Sequence, residues 1–342
     1  MVVIGSILLS SCDSYLNIQP VGQVIPTTLT EYRALLTTAY GLKLIDKSVT
    51  EFRTDIAMVT DNSNSQNFYS EIEKWNDMSP KDGTREFGWA VYYSVIYYAN
   101  AIIANKDNIK EGSQEDIDQL VGEAYLLRGY MHFILANLYG QPYTKEGAPE
   151  TKSIPIKWDL DLEVVLPRNT VKEVYTAILS DIESARGLMH QKEWEAVYAY
   201  RFSTLSVDAM ESRVRLYMGN WKEAYDAAER ILVQKSTLED LNDPEAKLPN
   251  NYTSAEMITA YEFFNDDVTS ASILIPAFME KYDGNKDLRR NKYYSLSGDK
   301  YISKKSGKAE HNCTFRTGEI YLNAAEAAAP VSYTHLRAHE TS

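Results

Sequence analysis

The sequence predicts an all-α protein built from tetratricopeptide-like helix pairs, which are joined by long loops of the kind that bind ligands. Apolar residues recur with the i, i+3, i+4, i+7 spacing of a helix face through several stretches. One turn, from Gly219 to Ala224, has the residue order of a tetratricopeptide hairpin. Long polar segments separate the periodic stretches, so the predicted scaffold is helical and its connections are long.

Capping signals define the ends of the first predicted helices. Thr170 stands before the third helix and Glu173 follows three residues later, which is the pattern of a capping box. Gly140 ends the second helix and Pro142 follows it, as expected of a helix stop. The helices predicted from periodicity span residues 87–105, 117–139 and 171–189.

A helical hairpin is predicted further along the chain. Gly219 allows the tight turn, Trp221 packs between the two helices, and Ala224 lets the second helix approach the first. A last helix is predicted as the first member of a pair, and loss of its partner would expose apolar surface. These helices span residues 205–218, 221–233 and 315–328.

The segments between the helices are polar and rich in Asn, Ser, Asp, Gly or Pro. Loops of this length in a helical scaffold more often serve a function than arise by accident. Short strands are also predicted at residues 271–278 and 300–303. The predicted loops are residues 61–84, 141–167, 239–267 and 283–312.

Composition excludes several classes of protein. With 44% hydrophobic and 24% charged residues among 342, the chain has the make-up of a folded globular protein. Its net charge of −13 argues against nucleic acid as a partner, because phosphate binding needs clustered Lys and Arg, and is compatible with an uncharged ligand. The 25 tyrosines suit either helix–helix contacts or a wet aromatic surface.

The two ends of the chain are predicted to lie outside the fold. Residues 1–11 are an apolar run that ends in small residues before Cys12, which is typical of a lipoprotein signal peptide. Acylation of Cys12 would anchor the chain stably, and no other stretch is long and apolar enough to span a bilayer. Residues 330–342 are interpreted as a non-native tail similar to translated sequencing adapter, which leaves residues 12–329 as one helical domain that is incomplete at its C-terminus.

Several segments, in order along the chain, resemble the SusD/RagB family of lipoproteins. Together they cover nearly all of the native part of the sequence. The segments are CDSYLNIQP from Cys12, TEYRALL from Thr30, GEAYLLRGYMHF from Gly122, NLYGQPY from Asn137, PRNTVKEVY from Pro167, DLRR from Asp287 and RTGEIYLNAAEA from Arg316.

The resemblance implies an α-helical, lipid-anchored protein on the outer membrane of Bacteroidetes-type bacteria, facing the cell exterior. Members of the family cover a SusC-type TonB-dependent transporter and deliver glycans or, in some branches, peptides to it. The expected function is therefore capture of an oligosaccharide or polysaccharide and its transfer to the transporter. Peptide capture, a tetratricopeptide scaffold for other proteins, and a lipid-anchored hydrolase are the alternatives.

The loop predicted at residues 61–84 is the best candidate for the ligand site. Sugars are bound by a flat aromatic ring together with planar amides, which donate and accept hydrogen bonds. Asn62, Asn64, Tyr69 and Trp75 supply these groups within a short stretch and are the predicted ligand-binding residues. The alternative is a turn-rich loop whose Asn side chains cap the backbone and whose Trp75 packs on the helices.

No pattern in the sequence predicts catalysis, and the chain is expected to bind without a cofactor or metal. The native histidines His132, His190 and His311 lie far apart, without the i, i+4 spacing of a helical metal site. His132 is interpreted as a structural histidine. Ser297 and Lys300 fit an S-x-x-K pattern, but they stand in a polar Gly-bearing segment without the partner motifs, so the match is interpreted as coincidence.

Overall fold

The computed structural model describes residues 26–262, 266–284, 286–305 and 313–331. Most of these residues are helical, and the strands are short, which confirms the predicted fold class. The helices are α1 Leu29–Tyr40, α2 Asp46–Val49, α3 Ser63–Glu73, α4 Ala90–Ala104, α5 Gln114–Tyr139, α6 Val171–Leu188, α7 Thr204–Tyr217, α8 Trp221–Leu232, α9 Asp266–Ala271, α10 Pro276–Met279, α11 Leu288–Tyr293 and α12 Thr317–Val331.

The long helices pack mainly on their neighbours along the chain. Helix α4 packs on α5, α5 on α6, α6 on α7, α7 on α8, and α8 on α12. The predicted pairs of residues 87–105 with 117–139 and of 205–218 with 221–233 are present as α4–α5 and α7–α8. Gly219 has a φ of 73°, a left-handed conformation that favours glycine at this turn.

In the part of the chain that the structure describes, six short strands form three separate antiparallel pairs beside the helices. Strand β1 pairs with β3, β2 with β6, and β4 with β5. The strands predicted within 271–278 and at 300–303 correspond to β3 and β5. The bounds are β1 Ala57–Val59, β2 Met257–Thr259, β3 Ser272–Leu274, β4 Tyr294–Ser297, β5 Lys300–Ser303 and β6 Phe315–Arg316.

One predicted loop is wrong in its centre, because residues 61–84 contain helix α3. Asn62 caps this helix by accepting hydrogen bonds from two backbone N–H groups. Phe68, Tyr69 and Ile72 then follow with helical spacing, and Tyr69 and Ile72 are buried. The high content of Asn and Ser hid this short amphipathic helix from the sequence analysis, although Asn62 is itself a helix-start signal.

Helix α5 is the centre of the core and buries polar as well as apolar side chains. Its Glu123 is fully buried and accepts hydrogen bonds from Arg33 at 2.9 Å, Arg201 at 2.9 Å and the Tyr40 hydroxyl at 3.2 Å. A buried carboxylate needs such partners to offset the loss of its hydration. Glu123 thereby ties α5 to α1 and to the segment before α7.

A second buried charge on α5 connects three helices. The Arg128 guanidinium donates to both carboxylate oxygens of Asp181 on α6, at 3.0 and 2.5 Å, and to the Asn100 side chain of α4 at 2.8 Å. Asn100 in turn donates to the backbone oxygens of Lys157 and Asp159. This network therefore holds the long 141–167 connection against the helices.

Among the described residues, none of the helices combines the length and the apolar character that crossing a bilayer requires. Residues 1–11 and Cys12, for which a signal peptide and acylation are predicted, lie outside the described residues, as does most of the 330–342 tail. Those interpretations stay predictions.

The Arg128–Asp181 pair leads to a stability prediction. Replacing Asp181 by Ala would leave a buried guanidinium without its carboxylate, so we expect the free energy of unfolding to fall by about 3–5 kcal/mol. Asp226→Ala is the matched control, because it removes the carboxylate of the exposed Lys222–Asp226 pair on α8 and should cost about 0.5 kcal/mol or less. Urea denaturation of both variants measures the difference, and equal losses would contradict this role of the pair.

Candidate functional site

The N-terminal part of α3 forms one wall of an open cavity among the described residues. The Asn62 side chain accepts hydrogen bonds from the N–H groups of Asn64 at 3.0 Å and Ser65 at 3.3 Å, which fixes the start of the helix. Asn64, Ser65 and Phe68 lie three and four residues apart, so they share one face of α3. That face presents a hydroxyl, an amide and an aromatic ring.

The opposite wall comes from a distant part of the sequence. Strand β1, which precedes α3, pairs with β3, which follows α9, in the register Ala57–Leu274 to Val59–Ser272. The Thr60 N–H extends the ladder by donating to the Ala271 carbonyl at 2.8 Å. This pairing places the C-terminal half of α9 beside the start of α3.

The space between these walls is a cavity of about 600 Å³, open to solvent. Binding clefts for small ligands commonly have volumes of ~300–1,000 Å³, so an oligosaccharide segment fits this size. The lining residues are Asn62, Asn64, Ser65, Phe68, Tyr69, Gly83, Arg85, Asp267, Ser270 and Ala271.

Three of the four predicted ligand-binding residues meet at this cavity. Asn62 and Asn64 are exposed at its edge. Tyr69 is only 5% exposed and packs against Phe52 with their ring centroids 5.0 Å apart, so it forms part of the wall rather than a free platform. The Asn62 oxygen already caps α3, which leaves its NH₂ group as the donor for a ligand.

Trp75 does not line the cavity, because it follows the opposite end of α3. Its side chain is 62% exposed, and its φ of 58° is unusual for a residue with a Cβ. The Arg53 guanidinium lies over the indole at 4.7 Å from its centroid. The neighbouring Asn76 amide is bonded to Glu71 and to the Ser79 carbonyl. Its role in ligand binding stays a prediction.

Phe68 and Arg85 are lining residues that the sequence analysis did not select. Phe68 is 47% exposed and offers the accessible aromatic face that Tyr69 lacks. A helical interpretation of residues 63–73 would have found Phe68, since it lies on the face of Asn64 and Ser65. Arg85 lies 12 residues after the end of α3, and only the fold places it at the cavity. Its backbone N–H donates to the Phe68 carbonyl at 3.0 Å.

Gly83 supports the connection between α3 and Arg85. Its φ is 89°, and a Cβ at this position would lie 2.7 Å from the Asn67 amide nitrogen of α3. Both the backbone conformation and the close approach therefore favour glycine here. The glycine thus lets the chain pass close to α3 just before Arg85 reaches the cavity.

The charged side chains around the cavity differ in how closely they are paired. Asp61, just before α3, pairs with Lys300 at 2.7 Å, and this contact lowers the pKa of the Asp61 carboxyl. Burial raises the pKa of the Asp46 carboxyl, against the effect of the Gly88 N–H and of Arg85. Arg85 forms an ion pair with Asp46, but the separation is 3.9 Å, too long for a hydrogen bond.

Within the described ranges, no three His, Cys, Asp or Glu side chains converge into a group that could hold a metal ion. Burial lowers the pKa of His132 to about 3, so this histidine is neutral. Its ring lies against Trp158, at 6.0 Å between centroids. Lys300 of the S-x-x-K match forms an ion pair with Asp61.

The geometry of Trp75 predicts that this residue contributes little to stability. Trp75→Gly relieves a left-handed backbone strain of ~1–2 kcal/mol and loses a cation–π contact worth ~0.5–1 kcal/mol. We expect the free energy of unfolding to change by less than about 1 kcal/mol, whereas Phe52→Ala in the core should cost ~3–5 kcal/mol. Chemical denaturation compares the two variants, and a Trp75→Gly loss near that of Phe52→Ala would assign the indole a packing role.

Comparison with known proteins identifies a family and relatives that this chain resembles in sequence. The model of a SusD-like family described as "Starch-binding associating with outer membrane" matches residues 15–216, more than half of the 342-residue chain. A SusD-like protein of Formosa agariphila is 27% identical over 244 residues, which are 68% of this chain and 44% of that protein. A second one from the same organism is 25% identical over 203 residues, 58% of this chain and 36% of its own length. The chain thus spans less than half the length of these relatives.

Solved structures agree in fold at low sequence identity. A SusD superfamily protein of Bacteroides thetaiotaomicron has a TM-score of 0.76 at 20% identity, covering 91% of this chain and 78% of its own. A putative sugar binding protein of Bacteroides vulgatus has a TM-score of 0.74 at 22% identity, covering 90% and 76%. A laminarin binding SusD-like protein has a TM-score of 0.67 at 14% identity, covering 88% and 80%. Family model and fold agree, and the chain belongs to the SusD-like family.

Proposed function

We propose that this protein is a cell-surface glycan-binding protein that captures an oligosaccharide or polysaccharide without altering it. The observation that carries the proposal is the cavity of about 600 Å³ between α3 and α9, where an exposed Phe68 ring lies beside the Asn62 and Asn64 amides. A sugar ring presents C–H groups on its face and hydroxyls at its edge. The aromatic ring complements the face, and the amides complement the edge.

The rigidity of both walls supports this use. The start of α3 is fixed by its Asn62 cap, and α9 is held by the β1–β3 ladder. Phe68 projects from a helix backed by the buried Tyr69, Ile72 and Phe52. A preformed platform of this kind keeps the entropy cost of binding low, because few protein groups have to be ordered by the ligand.

The relatives support the ligand class. The family description names starch binding, and one neighbour in fold is a laminarin binding protein. Both ligands are glycans, and an aromatic ring beside amides suits this class better than a peptide. These ligands are those of the relatives. The binding experiment described below identifies the glycan that this chain binds.

The proposal also covers the cellular context. Acylation of Cys12 would anchor the chain to the outer membrane with the helical domain facing outwards, and the captured glycan would pass to a SusC-type TonB-dependent transporter. The family description, which associates its members with the outer membrane, supports this placement. The lipobox-like Leu9-Ser10-Ser11-Cys12 sequence supports the anchor.

The glycan site can be tested by truncating its aromatic platform. Isothermal titration against laminarin, starch and other polysaccharides first identifies a bound glycan. Phe68→Ala should then weaken its affinity about tenfold or more, since loss of a central aromatic contact commonly costs over 1 kcal/mol. Tyr198→Ala is the control, because Tyr198 is a similarly exposed aromatic residue that does not line the cavity.

Two results would contradict the glycan site. Absence of binding to every glycan would reject the proposed function itself. Equal affinity of the wild type and Phe68→Ala would reject the location of the site, and loss of binding in Trp75→Gly instead would move it to the other end of α3.

The lipid anchor predicts the location of the chain. Expressed with its signal sequence in a Bacteroidetes host, the wild type should fractionate with the outer membrane and be cleaved by protease added to intact cells. Cys12→Ser removes the thiol that is acylated, so the variant should leave the membrane fraction. Membrane association of Cys12→Ser equal to that of the wild type would contradict anchoring at this residue.

A further inference from the structure

Among the described residues, most partly or fully buried arginines have a close carboxylate or carbonyl partner, whereas Arg85, like Arg316, has only one long ion pair. Its side chain is 24% exposed, and among the described residues its guanidinium makes no hydrogen bond; its one ion-pair contact is with Asp46 at 3.9 Å. The Nε atom is buried and unpaired. By contrast, Arg128 and Arg213 each donate to both oxygens of a carboxylate.

The buried Nε–H of Arg85 is costly, because this donor has lost water without gaining an acceptor. If Arg85 served only to neutralise Asp46, a contact of about 2.7–2.9 Å would be expected, as in charge-assisted hydrogen bonds. The observed 3.9 Å leaves the donors available, and Arg85 lines the cavity between α3 and α9. The arrangement fits an acceptor that is supplied by the ligand.

Helix α3 adds to the positive potential at the same place. It has 11 residues, and its first residues line the cavity, so the positive end of its dipole lies near the ligand. This contribution is modest and acts only together with Arg85. The exposed Asp267 on the opposite wall restricts where a negative group can lie, since it repels anions from its own side.

We propose that the cavity binds a glycan carrying a negatively charged substituent, a uronate carboxylate or a sulfate ester, whose oxygens accept hydrogen bonds from the Arg85 guanidinium. This inference rests on the proposed glycan-binding function and narrows its substrate class. Guanidinium groups match both carboxylate and sulfate through paired N–H donors. Phe68 stacks on the sugar ring, and Arg85 binds the charged group of that sugar.

The net negative charge of the chain limits how densely charged a bound glycan can be. A net charge of −13 disfavours dense polyanions at long range, although salt screens charges beyond about 8 Å at physiological ionic strength. A single guanidinium facing the ligand therefore selects one charged substituent at one position. We therefore expect the bound glycan to carry few charged substituents, or to carry them at isolated positions.

The first test uses the wild-type chain and pairs of probes that differ only in charge. Oligogalacturonate is compared with its carboxyl-reduced form, and carrageenan oligosaccharides with their desulfated form; laminarin and starch are the neutral references. We expect at least one acidic probe to bind at least tenfold more tightly than its uncharged counterpart in isothermal titration. The two pairs of probes show whether Arg85 binds a carboxylate or a sulfate.

The second test substitutes Arg85, the residue proposed to bind the charged group. Arg85→Gln should weaken binding of the acidic probe tenfold or more while affinity for its uncharged form changes less than twofold; Arg85→Lys keeps the charge and should retain part of the affinity. Lys222→Gln, on α8 away from the cavity, removes the same charge and should leave the affinity unchanged. Thermal unfolding of each variant verifies folding, and the wild-type comparison stands even if Arg85→Gln fails to fold.

The outcomes separate the two proposals. Binding to laminarin or starch with no preference for any acidic probe overturns the charged-ligand inference and leaves glycan binding intact. Equal weakening of acidic and neutral probes by Arg85→Gln also overturns it, because the guanidinium would then act only on the shape of the cavity. Absence of binding to every glycan overturns both, and preference for acidic peptides over acidic glycans assigns Arg85 to a different ligand class.

Discussion

The burial of charged side chains on α5 is the constraint that fixes the arrangement of the helices. Apolar packing tolerates the exchange of one aliphatic side chain for another of similar volume. A buried Glu123 or Arg128 does not tolerate such an exchange among its partners, because loss of a partner leaves an uncompensated charge in the core. Their partners lie on α1, α4, α6 and the segment before α7. These contacts therefore join α5 to four other parts of the chain.

The candidate ligand site lies beside this scaffold and is supported by a core of its own. A separate small core of Val49, Phe52, Val59, Tyr69 and Val268 supports α3 and α9. The scaffold and this small core meet through polar contacts, among them the Lys47–Glu262 ion pair at 2.6 Å. The helical stack thus provides a fixed base, and the variable chemistry of recognition is confined to short elements beside it. Such a division allows ligand specificity to change through a few surface residues while the buried network stays constant.

The long helices could be predicted from sequence because their signals are local. The Thr170–Glu173 capping box and the turn at Gly219 are formed as expected, and the boundaries of α6, α7 and α8 agree with the predictions within one residue. Helix α3 was missed because its polar composition resembles a loop and its stability depends on tertiary packing of Tyr69 and Ile72.

The candidate site was predicted only in part, for a physical reason. Asn62, Asn64 and Tyr69 are close in sequence, so one segment revealed them. Arg85 becomes a neighbour of the same cavity only through the turn at Gly83, and Asp267 only through the pairing of β1 with β3. Long-range strand pairing leaves no local trace in the sequence, so no pattern search would have joined these residues.

Hydrogen–deuterium exchange of the chain with and without a bound polysaccharide tests most directly whether recognition occurs between α3 and α9. The account predicts slower exchange at the start of α3, around Gly83 and Arg85, and in α9 on addition of the glycan, with α7 and α8 unchanged. Protection confined to another surface, such as the cavity of about 220 Å³ beside Trp194 and Tyr252, would contradict it.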